Sequence, residues 1–124
     1  MIQDYFAQVE QVLQAFPNIS SYTLKKKVYS NEQGYISGSI AFKSGTHLDF
    51  TEVKDSKVAG KNKYRYHYMG KNQSTIFRYD NAPHHKDIPT FPHHKHTGNG
   101  VHQSTEPTLY DVLLEIAKTE RENL

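Results

Sequence analysis

Between Tyr64 and Asp80 the sequence alternates with a period of two on both sides of a turn, and this constrains the fold more than any other stretch. Tyr64, Tyr66 and Tyr68 point one way while Arg65 and His67 point the other, as in a strand with one buried face. A second strand, Thr75 to Asp80, follows the turn Gly70-Lys71-Asn72-Gln73. Pairing Met69 with Ser74 sets Tyr66 opposite Phe77, Tyr64 opposite Tyr79, and Arg65 opposite Arg78. The tyrosines then floor a core, and Arg65, His67, Arg78 and Asp80 share the second face. Two directly opposed arginines repel. The pairing therefore calls for a compensating anion, and Asp49, Glu52 or Asp80 would serve as well as a bound ligand.

The flanking segments supply the rest of a small domain. Ile2, Tyr5, Phe6, Val9, Val12, Leu13 and Phe16 recur at helical spacing until Pro17 stops them. Tyr22 to Tyr29, Tyr35 to Lys43 and His47 to Val53 are β-branched and aromatic runs separated by Asn31-Glu32-Gln33-Gly34 and Ser44-Gly45-Thr46. A three-residue loop in the second of these hairpins places Ile40 and Phe42 beside Phe50 and Leu48, sending His47, Asp49 and Thr51 to the other face. Near the C-terminus, Thr108 and Asp111 have capping-box spacing, with Asp in place of the usual Glu or Gln. Leu109, Val112, Leu113, Ile116 and Ala117 form the apolar stripe of a last helix. The expected class is α+β: an N-terminal helix, an antiparallel sheet of about five strands, a long ordered loop and a C-terminal helix.

Length and composition bound the function. The 124 residues suit one domain, 1–124, with a modest core. No apolar run reaches bilayer length, nothing at the start resembles a signal peptide, and the absence of cysteine removes disulfides and thiolate metal sites. A soluble cytoplasmic protein is expected. Lys54 to Arg78 holds seven Lys/Arg against the single acid Asp55, whereas acids prevail from Glu106 onward. A basic central sheet suits a phosphate-bearing ligand, and equally a solvated surface offset by the helices.

Six of the eight histidines lie between His84 and His102. Pro83, Pro89 and Pro92 remove backbone donors and push their predecessors toward extended conformations, so the loop should be stiff. Imidazoles titrate near neutrality, which suits acid/base chemistry. His93, His94 and His96 alternatively have a spacing able to grip a transition metal such as zinc or nickel. Each histidine also has a plainer role: His67 satisfied at the core edge, His84 bracing the turn after Pro83.

The strings YRYHY (Tyr64 to Tyr68), FRYDNAPHH (Phe77 to His85) and TFPHHKH (Thr90 to His96), followed by a helix of the type LYDVLLEI, resemble the TumE-like toxin family of bacterial toxin–antitoxin modules. The resemblance covers most of the chain and implies a small toxin neutralised by an adjacent antitoxin. The helix–sheet–helix order is also similar to RelE-like RNA-cleaving toxins, which is an analogy of fold alone. Where the strings coincide, the resemblance marks Arg65, His67, Arg78, Asp80, Asn81, His84, His85, His93, His94 and His96, together with Glu52 in LDFTEV.

The leading expectation is a metal-independent endoribonuclease with no cofactor. Arg65 and Arg78 would stabilise phosphate charge. His67, with His84 or His94, would transfer protons, and Asp80 or Glu52 would orient an imidazole. Tyr66, Asn81, His85 and Lys95, with Glu52, are the candidate substrate contacts. RNA and a cognate antitoxin are the expected partners, a second copy of the chain is a further candidate, and no membrane is expected. A His-coordinated metal protein or metal-dependent nuclease, and a toxin acting by binding alone, are the competing classes.

Overall fold

The computed structural model describes residues 1–122. Helix α1 (Ile2–Gln14) precedes strands β1 (Ile19–Val28), β2 (Gln33–Phe42), β3 (His47–Asp55), β4 (Lys63–Met69), β5 (Thr75–Asp80), β6 (His94–Thr97) and β7 (Gly100–Gln103), and α2 (Leu109–Glu122) follows. Each strand pairs antiparallel with the next, so the seven-stranded sheet runs in sequence order. The class is the expected α+β, with seven strands rather than about five. The two additional strands are a short hairpin inside the stretch expected to be loop. It forms beyond the last loop proline, Pro92, where main-chain donors are available again, and it turns at Gly98 to Gly100, the last with φ 119°.

Both helices lie on one face of the sheet. Ile2, Phe6, Val9 and Leu13 of α1 and Leu109, Val112, Leu113 and Ile116 of α2 pack into one cluster with Tyr64, Tyr66, Tyr68 and Phe77. The stripe begins immediately after a reciprocal cap: Asp111 N–H donates to Thr108 Oγ1 at 3.1 Å and Thr108 N–H to Asp111 Oδ2 at 2.9 Å. Position 38 on the same face of β2 takes glycine because a Cβ there would come 2.5 Å from the Phe50 ring. Among the described residues no helix is long and apolar enough to cross a membrane.

The hairpin registers differ from the expected ones by two residues, which leaves every side chain on its expected face. In the second hairpin Phe42 N–H donates to Thr46 O at 3.0 Å, so Ile40 pairs with Leu48 and Gly38 with Phe50. In the third, Gly70 N–H donates to Ser74 O at 2.9 Å, Gln73 takes φ 68°, and a register shift follows at Tyr68/Met69. Arg65 therefore faces Asp80, and Arg78 faces His67. The expected arginine–arginine opposition is replaced by a cation–carboxylate pairing across the strands.

Candidate functional site

Strands β4, β5 and β6 place two rows of polar side chains on the helix-free face. In one row His67 pairs with Arg78 and Arg78 with His96; in the next Arg65 pairs with Asp80 and Asp80 with His94. The rows arise because Arg78 and Asp80 alternate on β5 as His94 and His96 do on β6. The loop from residue 81 to residue 93 returns over this corner, tied down by turns such as Ile88 N–H to His85 O at 3.1 Å and His93 N–H to Thr90 O at 2.9 Å. His85 adopts φ 60° and lies 5.2 Å from His94 and 5.7 Å from His96, ring centre to ring centre. Arg65, Arg78, Asp80, His85, His94 and His96 line a cleft of about 340 Å³, joined by Lys63, Asn81 and His84.

Asp80 organises the cleft. Its Oδ2 accepts from Arg78 Nε at 3.0 Å and its Oδ1 from Ala82 N–H at 3.1 Å, with His94 Nε2 at 2.9 Å and His96 Nε2 at 3.6 Å. The other end of the Arg78 guanidinium donates to His96 Nε2 at 3.0 Å. Charge-assisted bonds at both ends fix the guanidinium plane. Burial and then the Arg78 charge hold the His96 imidazole below the usual histidine range. His67 is lowered likewise by burial, then by Arg65 and Arg78, and its Nε2 meets Thr75 Oγ1 at 2.6 Å.

The expected site residues divide between the two faces. Arg65, Arg78, Asp80, His84, His85, His94 and His96 line the cleft, and His67 flanks it on β4. His94 is only 2% exposed, with Nδ1 against Pro92 O at 2.9 Å, which removes its ring from direct reach of a large ligand. Asn81 is engaged within the protein, accepting from Tyr64 N–H at 3.0 Å and donating to Asn62 O at 3.1 Å. It lines the cleft as expected while also fixing the start of β4.

Glu52, Tyr66, Lys95 and His93 lie on the helix-covered side. The Glu52 carboxylate, 1% exposed, accepts from the hydroxyls of Tyr5 and Tyr66. Burial first, then the Glu52 charge, pushes both phenols well above the usual tyrosine range. Tyr66 is fully buried and cannot stack on a base. Lys95 pairs with Glu115 at 2.7 Å over the rings of Phe77 and Tyr79. His93 stacks on Tyr64 at 5.8 Å with Nδ1 at 2.8 Å from its hydroxyl, so His93 stands apart from the pairing of His94 and His96. Among the described residues, the group with nitrogens close enough to share a metal is His85, His94 and His96, with ligand atoms within 4.8 Å of one another.

The basic run is also partitioned. Lys54 donates to the carbonyls of Val58 and Gly60, both at 2.5 Å, and Lys61 pairs with Glu106 at 3.1 Å; Lys63, Arg65 and Arg78 stand at the cleft, and Lys57 and Lys71 are exposed away from it.

The family model described as Toxin TumE matches residues 9–124. No curated protein and no solved structure matches the chain. With the match spanning all but the first turns of α1, the three strings around the cleft fall inside it, and the chain belongs to the TumE toxin family.

Proposed function

We propose that this toxin arrests growth by cleaving RNA in the cleft on the open sheet face, without a metal cofactor. The observation that carries the reading is Arg78, a guanidinium held by Asp80 and set against a half-buried imidazole, His96, with a second imidazole, His85, 5.7 Å from it. A phosphodiester bound between Arg78 and Arg65 draws Nη2 of Arg78 off His96. The freed Nε2, on an imidazole that burial and then Arg78 hold below the usual histidine range, takes the proton of the ribose 2′-hydroxyl. The 2′-oxygen attacks phosphorus, the bond to the 5′-oxygen breaks, and His85 protonates that oxygen. Products are a 2′,3′-cyclic phosphate and a 5′-hydroxyl. Arg78 and Arg65 offset the charge that builds on the phosphoryl oxygens, and Asp80 positions Arg78.

The cognate antitoxin, in this reading, covers the cleft with acidic side chains that compete with phosphate, a complementarity that also speeds association. A toxin–antitoxin complex with the cleft fully open would contradict this occlusion. The function itself is tested by expression without antitoxin. The wild-type chain arrests growth, and Arg65→Ala with Arg78→Ala relieves the arrest while circular dichroism and melting temperature stay unchanged. Undiminished toxicity of the folded double variant would remove the proposed anion site.

A further inference from the structure

We infer that His85, His94 and His96, together with Asp80, bind one divalent transition-metal ion of the zinc or nickel type. The three imidazoles offer nitrogens within 4.8 Å of one another, and the hydrogen bonds of His94 leave room for a cation. A neutral imidazole carries a single N–H. In His94 the group facing Nδ1 is the Pro92 carbonyl at 2.9 Å, which can only accept. Nε2 then presents a lone pair to Asp80 Oδ1 at 2.9 Å, acceptor against acceptor, unless a cation joins them. An imidazole whose second nitrogen donates to a backbone carbonyl is the usual arrangement for a metal ligand, because it fixes the tautomer and the ring plane.

The carboxylate–imidazole spacings are near those of ligation, and the imidazole nitrogens, within 4.8 Å of one another, have to draw together around the ion. Two ligand atoms each about 2.1 Å from one tetrahedral ion lie roughly 3.4 Å apart. Asp80 Oδ1 to His94 Nε2 is 2.9 Å and Asp80 Oδ2 to His96 Nε2 is 3.6 Å. His85 is exposed and sits on the loop, so it can close the remaining distance. Arg78 gives up His96 but stays anchored through Nε on Asp80 Oδ2 at 3.0 Å. Three imidazole nitrogens and one carboxylate suit zinc, nickel or copper, whereas magnesium and calcium require oxygen ligands. His93, committed to Tyr64, takes no part.

Occupancy withdraws His85 and His96 from proton transfer, so the ion inhibits cleavage; this consequence rests on the ribonuclease reading, while binding stands on the geometry alone. The test is isothermal titration of the full chain, untagged and freed of metal by chelator, with zinc, nickel and magnesium salts. One zinc or nickel ion per chain is expected, with no magnesium heat. His96→Gln and the exposed His85→Ala should each weaken binding at least tenfold, and His93→Gln should leave it unchanged. His85→Ala keeps the test decisive should variants at buried His94 fail to fold. Absence of binding, or binding that survives both His85→Ala and His96→Gln, overturns the site and leaves a proton as the cation shared by His94 and Asp80. RNA cleavage is measured in parallel: slowing by zinc supports inhibition and stimulation overturns it. Zinc binding in a protein that cleaves no RNA under any condition would establish the metal site and remove the ribonuclease reading.

Discussion

The two faces of the sheet treat their polar groups in opposite ways. On the helix-covered face Glu52, Lys54, Lys61 and Lys95 are each consumed by protein partners: two phenols, two carbonyls, Glu106 and Glu115 respectively. These groups are satisfied within the fold, as burial demands. On the open face Arg65, Arg78, His85 and His96 line a cleft, and the bonds that hold Arg78 and His96 are made to each other and to Asp80 at the cleft itself, where a ligand can exchange them. Both faces carry charge near aromatic or imidazole rings, so residue type alone does not separate structural from reactive groups. What separates them is where the partners lie: under the helices on one face, at a cleft open to a ligand on the other.

This contrast predicts that open-face substitutions change activity at constant stability and that covered-face substitutions do the reverse. The largest effect belongs to Arg78→Ala, which should lower the turnover of RNA cleavage by about 10²–10³-fold, the scale of losing one preorganised charge-stabilising group, with an unchanged melting temperature. His96→Gln follows at about a hundredfold, the usual contribution of a general base. His102→Gln, on β7 with Nε2 against Thr97 Oγ1 at 2.8 Å, should change turnover less than twofold in the same assay. A loss in His102→Gln equal to that in His96→Gln would dissolve the distinction.

Glu52→Ala should act on stability. It strands the hydroxyls of Tyr5 and Tyr66 at about 1–3 kcal/mol for each buried unsatisfied donor, so denaturant unfolding should register a loss of about 2–6 kcal/mol while turnover per folded molecule holds. The smallest effect is on pH dependence. His67 is lowered by burial and by Arg65, Arg78 and His47 against the opposing pull of Asp49. The unfolded chain therefore binds this proton more readily than the folded one. The stability it confers is complete above the ordinary histidine pKa of about 6.5 and falls as pH drops through that value toward the lower folded one. Denaturant midpoints at pH 7.5 and 5.5 should differ less in His67→Gln than in the wild type.

The faces were legible in the sequence, and the registers and the loop were not. Period-two alternation at Tyr64 to Tyr68 and at Leu48 to Phe50 assigns each side chain to a face whatever the pairing, because shifting a strand by two residues preserves it. Which residues stand opposite depends on the turn, and Gln73 at positive φ, with an irregularity at Tyr68/Met69, is a conformation the turn sequence did not announce. The pairing of Arg65 with Asp80 instead of Arg78 follows from that turn. His94 and His96 alternate clearly enough to be placed together, yet Pro83, Pro89 and Pro92 just before them disguise their strand as loop. His85 joins them through its left-handed backbone and the turns of the loop, for which no local pattern exists. Family resemblance marks Glu52, and strand parity places Tyr66 in the core, where the structure has it bonded to Glu52; the covered position of Lys95 follows from its place opposite Tyr79.

The most direct test of the open-face account is end-group analysis of RNA incubated with untagged protein in excess chelator. Acid/base cleavage in the cleft predicts fragments ending in 2′,3′-cyclic phosphate with 5′-hydroxyl partners, formed by the wild type and lost in Arg78→Ala. Intact RNA in chelator, with 3′-hydroxyl and 5′-phosphate ends appearing when one divalent ion is restored, would contradict it and assign the cleft to metal-assisted hydrolysis.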